Sequence, residues 1–132
     1  MEFIKNVRDN NTLNKLNGGS NNWLYGLADT SSDLCWFGNT CKIDSFVGIP
    51  NGVTACSGGF GSCANIKQNT DDTSGTYGLF GYTASWTDTN FKREIQFQSI
   101  SANEILVTIS ISWLTRGVNH SFQVSESLFN RQ

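Results

Sequence analysis

Few residues in this sequence could do chemistry, and their spacing does not bring them together. His120 is the only histidine. It lies in "VNHSFQVS", on the Val118–Phe122 side of an alternating segment beside a turn, which suits a sheet-edge position better than a general base. No strained Gly-x-Ser-x-Gly turn accompanies it, so a Ser-His-Asp set has no local support. Asp71 and Asp72 sit in "QNTDDTSG", a polar, turn-like stretch. The spaced ligands and closing glutamate of a calcium loop are missing there, and the segment carries no sign of a pocket that would enclose a paired-carboxylate site. The glycines of "SGGFGS" fall between cysteines rather than between a strand and a helix, which removes the phosphate-loop reading. The sequence reads as a non-enzyme, with no catalytic residue, metal site or cofactor expected.

The four cysteines carry more information. They come as "CWFGNTC" (Cys35, Cys41) and "CSGGFGSC" (Cys56, Cys63), with five and six residues between partners. Structural zinc knuckles favour about two to four intervening residues, so zinc fits poorly. Buried free thiols are the bland alternative. Glycine lets such loops fold back, and an even count predicts two disulfides and an oxidising compartment. Four cysteines allow three connectivities, and local pairing is the expected one. Loops this short release less chain entropy than the ~3 kcal/mol of a fifteen-residue loop, so the bridges are expected to stiffen loops rather than hold the fold.

The elements that would position these groups follow from length and pattern. The chain has 132 residues, with thirteen glycines, one proline and 15% charged residues. That suits one domain spanning 1–132. The net charge of −2 and the lack of a concentrated basic strip argue against nucleic acid as a partner. No apolar run approaches the roughly twenty residues needed to cross a bilayer, and the start shows no secretory signal. Residues 1–16 read as the end of a helix, with Phe3, Ile4 and Val7 on one face and Glu2, Lys5 and Arg8 facing away. "NGGSNN" stops it. Trp23, Leu24, Tyr25 and Leu27 form an apolar cluster expected to pack on that helix. Residues 29–75 are loop-rich, with short strands expected at Lys42–Val47 and Gly52–Ala55.

From Phe91 onward the period becomes two. Three strands within 91–129 form an antiparallel meander with one buried face. Its core is expected from Ile95, Phe97, Ile105, Val107, Ile109, Ile111, Trp113, Phe122 and Val124. The helix is the available cover, giving an α+β layer pair with a disulfide-stapled loop region between helix and sheet. Trp36, Phe37 and Phe60 lie inside the cysteine loops. They are expected to pack those loops onto the sheet, with an exposed contact role as the alternative.

Two stretches together carry a resemblance. "EFIKNVRDNN" followed by "NNWLYGL" resembles the region after the transmembrane segment of PilV-like type IV pilus minor pilins. "FKREIQFQSISANEILVTISISW" and "SFQVSESLFN" resemble the C-terminal sheet of the same group. The match covers roughly the first 27 and last 42 residues; the cysteine loops have no counterpart. The resemblance implies a pilin-like fold and a structural subunit at the surface or tip of a type IV pilus or related secretion filament. Such a subunit contributes to assembly, adhesion or twitching motility. Its implied partners are other pilin subunits, a surface or host ligand, and the membrane through an apolar helix. On this view Met1 is an introduced start, the helix is truncated, and the native location is an extracellular pilus. A secreted β-rich binding module, for instance for carbohydrate, and a DNA-uptake pilin are the alternatives.

Overall fold

A computed structural model describes residues 1–59 and 61–132. One helix, α1 (Glu2–Leu16), precedes seven strands: β1 (Thr40–Ile43), β2 (Val53–Ala55), β3 (Asn65–Gln68), β4 (Phe80–Gly81), β5 (Thr87–Ser101), β6 (Glu104–Thr115) and β7 (Val118–Phe129). All strand pairs are antiparallel. The architecture is α+β, a helix with a large antiparallel sheet and two disulfides.

The long meander β5–β6–β7 forms where the period-two pattern is cleanest. Its last turn is two residues, Arg116 and Gly117, with φ of 50° and 81°. Positive φ at both positions defines the turn whose twist matches a hairpin, and glycine adopts it without a steric cost. β5 is the axis of the sheet. One edge pairs with β6 along most of its length, from Phe91↔Trp113 to Ser101↔Glu104. The other edge is divided. Its C-terminal half takes β1 through Cys41↔Ile95, and its N-terminal half takes β3 through Asn65↔Lys92. Two short hairpins, β1–β2 and β3–β4, therefore hang side by side from one strand.

The core lies between α1, the Trp23–Ala28 segment and one sheet face. Ile4, Leu27, Phe97, Ile105, Val107 and Leu128 are all nearly inaccessible. Phe3 and Val7 are partly buried and pack on the same cluster. Trp23, Leu24 and Leu27 are buried as expected, whereas Tyr25 is exposed.

The helix departs from its expected amphipathic face. Arg8 does not face away: it is buried, as are Asn11 and Thr12. The reason is local hydrogen bonding. Asn11 Nδ2 donates to the carbonyls of Trp23 and Tyr25 at 3.3 and 3.0 Å. The Arg8 guanidinium pairs with Asp9 at 2.8 Å, which satisfies a charge that burial would otherwise penalise. Lys5 bridges Glu2 and, across to the sheet, Glu126 at 2.8 Å.

The disulfides pair locally, Cys35–Cys41 and Cys56–Cys63, with Cα separations of 5.3 and 4.9 Å. The first does more than stiffen a loop. Cys41 belongs to β1, and both sulfurs are sealed within the hydrophobic core. Cys56 is partly accessible. Exchange needs a thiolate to reach a sulfur. Mild thiol reductant on the folded chain is expected to open Cys56–Cys63 first and to leave Cys35–Cys41 intact until unfolding. Alkylation followed by mass spectrometry, with and without denaturant, reads this as two modified cysteines against four.

Candidate functional site

The sheet face that α1 covers is only half covered. Ile95, Phe97, Ile105 and Val107 are buried, and Ile109 packs at their margin. Ile111 and Trp113 are half-buried. The assignment of Phe122 and Val124 to the core is overturned: they are 58% and 44% exposed. Alternation places them on the correct face, opposite Ile111 and Ile109. Nothing among the described residues lies over that end of the face. Since Phe122 loses little contact on truncation, Phe122→Ser is expected to change the stability of the dilute chain by less than about 0.5 kcal/mol. Denaturant unfolding checks this; a loss typical of a core residue would contradict it.

The open half is organised around aromatic rings. Phe91 and Trp113 are register partners, with ring centroids 5.9 Å apart and a 40° tilt. Trp113 stacks on His120 at 5.3 Å and 17°. His120 is thus an exposed, ring-stacked residue of the strand hairpin. At the border, Met1, Phe3 and Ile4 meet Arg93, Ile95 and Ile109 around a cavity of about 90 Å³. Arg93 donates from one terminal nitrogen to the Ile43 carbonyl at 2.8 Å. Its buried Nε has no partner among the described residues. The Met1 amine is held below its ordinary pKa, first by burial and then by Arg93.

The opposite sheet face holds a cleft of about 630 Å³ beside the Cys56–Cys63 loop. Asn65, Asn90, Lys92, Ser112, Asn119 and Ser121 are among its lining residues. Two of its polar groups are already engaged: Lys92 Nζ donates to the Gly61 carbonyl at 2.7 Å, and Asn90 Nδ2 to the Leu114 carbonyl at 2.9 Å. The loop itself is docked by Glu94, which strand alternation places on the face opposite Ile95 and Phe97. Glu94 is 2% exposed. Its carboxylate accepts from Gly61 N at 2.7 Å and Cys63 N at 3.0 Å.

The remaining candidates are structural in their surroundings. Trp36 and Phe37 are half-buried with rings 4.6 Å apart, and Phe37 packs on the core. Phe60 lies outside the described residues. Asp71 accepts from the Thr73 hydroxyl and backbone N–H, which hold its carboxyl below the usual range. Burial raises the Tyr82 phenol, which sits between Lys42 and Arg93 in cation–π range. No described helix is long and apolar enough to cross a membrane.

Comparison with family models, curated proteins and solved structures finds no match.

Proposed function

We propose that this chain is the globular part of a structural minor pilin, a subunit of a type IV pilus or related filament displayed at the cell surface. Its role would be in filament assembly, adhesion or motility, with other subunits as partners. The observation that carries the reading is the half-covered sheet. The open apolar face starts where α1 starts, at Ile109 beside Met1, Phe3 and Ile4, and continues through Ile111 and Phe122. An apolar helical segment ahead of Met1 would continue α1 past this open end toward the membrane or the filament core, leaving the open face for neighbouring subunits. The two disulfides support export to an oxidising compartment. The two-ended sequence resemblance supports the same assignment.

The coding sequence immediately upstream of Glu2 in the native gene tests it. The expected finding is a short leader followed by an apolar stretch of about twenty residues continuous with the helix. A start codon with neither feature upstream overturns the reading.

A secreted binding module is the second reading. It is favoured by the Phe91–Trp113 ring pair on an uncovered face, a surface on which a sugar ring can stack. Saturable binding of the isolated chain on a glycan array, lost in Trp113→Ala, would support it.

A further inference from the structure

We propose that the outer edge of β7 pairs with β7 of a second copy of this chain, antiparallel, about a two-fold axis through Gln123. The paired region would run from Val118 to Leu128 and join two sheets into one.

The first support is the edge itself. β7 bonds only β6, without a register shift from Glu104↔Phe129 to Thr115↔Val118. Among the described residues it is the long free edge; β2 and β4, the other outer strands, have three and two residues. Proteins that keep such an edge single blunt it with lysine, proline or a bulge. The sequence "VNHSFQVSESLF" has no lysine, arginine or proline, and its ladder has no bulge.

The second support is the direction of the free groups. In a two-residue hairpin the residues flanking the turn, here Thr115 and Val118, form a hydrogen-bonded pair. By antiparallel alternation, even-numbered residues of β7 bond β6, and odd-numbered ones aim N–H and C=O outward. Ser121, Gln123 and Ser125 therefore present a donor and an acceptor each. An antiparallel copy of the same strand supplies their complement.

The third support selects the register. With Gln123 on the axis, Phe122 of one copy lies opposite Val124 of the other, so two half-exposed apolar side chains shield each other. His120 lies opposite Glu126, the only carboxylate of the strand, which meets Lys5 through Oε1. Ser121 lies opposite Ser125. Moving the axis to Phe122 would instead set Glu126 against Val118 and His120 against Val124. The Gln123 register is the self-complementary one, and both helices then lie on the same side of the joined sheet. This inference uses the edge of β7 rather than its open face, so it stands apart from the filament reading, and the upstream coding sequence does not bear on it.

Sedimentation velocity on the whole chain between about 1 and 300 µM, the affinity range of modest interfaces, tests it. The expected result is a concentration-dependent monomer–dimer boundary. Gln123→Pro removes an outward N–H that makes no bond within the chain and is tolerated at an edge; it also removes the side chain's bond to Ser110 Oγ at 2.9 Å, which Gln123→Ala removes alone and so serves as the control. The proline variant is expected to weaken the dimer at least about tenfold while leaving near-ultraviolet circular dichroism unchanged. If that variant misfolds, hydrogen exchange on the unmodified chain decides: amides of Ser121, Gln123 and Ser125 must gain protection with concentration. A chain monomeric throughout the range overturns the proposal and leaves the edge to a strand from another protein. A dimer that persists in Gln123→Pro, or that forms without protecting those amides, also overturns it and moves the contact to the aromatic face.

Discussion

Phe97→Ala is expected to cost about 3–5 kcal/mol, one of the largest losses from any single truncation among the described residues. Phe97 is 1% exposed and is the largest of the fully buried side chains. It sits at the middle of the fold. Its strand partner Val107 is equally sealed, and the same cluster includes Ile4, Leu27 and the Cys35–Cys41 bridge. Its carbonyl also accepts from Gly38 N at 3.1 Å, so the backbone there is held by the disulfide turn and cannot readily collapse into the space left by the ring. The cost of a deleted ring rises with the cavity that survives, and a site fixed on several sides keeps most of it. Urea unfolding followed by tryptophan fluorescence measures the loss. Trp113→Ala, removing a larger but half-exposed ring, should cost less. If the two losses were reversed, the core would be centred at the other end of the sheet.

Glu94→Ala is expected to destabilise the chain by about 2–4 kcal/mol, with the loss concentrated around the Cys56–Cys63 loop. The carboxylate is the acceptor for two backbone N–H groups, of Gly61 and Cys63. Its removal orphans both donors beneath a loop. Glu94→Gln keeps one acceptor oxygen but turns an N–H₂ toward the second donor, so an intermediate loss is expected. The disulfide continues to close the loop in either variant. Hydrogen exchange should therefore show Gly61 and Cys63 amides losing protection before the β5–β6 ladder does. Equal loss of protection across the sheet would show that the carboxylate supports the whole fold rather than the loop.

These two residues also mark what the sequence could and could not show. Phe97 was legible. It lies in a strand of strict alternation, as do Ile95, Ile105 and Val107, and its partner face is apolar on each neighbouring strand. The helix and the meander were legible for the same reason. Glu94 was hidden by that alternation, which marks one face as buried and makes the other look wet. The missed signal was the cysteine loop, whose backbone donors needed an acceptor somewhere. Phe122 and Val124 show the opposite limit. Periodicity states which face a residue shares, but not how far a fifteen-residue helix reaches along it. Arg8 was misplaced because Asn11 and Asp9 gave the helix a polar docking surface that no apolar count detects. β3 and β4 have four and two residues, too few to show a period. β5 starts at Thr87 rather than near Phe91 because β3 pairs with its polar first turn of sequence, "TDTN".

The division of labour between the chain's two ends has a consequence for how it comes into being. Ile4 and Leu128 belong to one cluster, yet they lie near opposite ends of this sequence. Synthesis delivers the chain progressively, and contacts this distant in sequence close late. Of the described elements, the helix is made before every strand yet must wait for the strands to find its seat. Until β5 and β6 arrive, Ile4, Trp23, Leu24 and Leu27 have no sheet to enclose them, and Leu128 of β7 then completes the cluster. Those apolar side chains stay exposed in the interval, and Leu128 of β7 is the last to join the cluster.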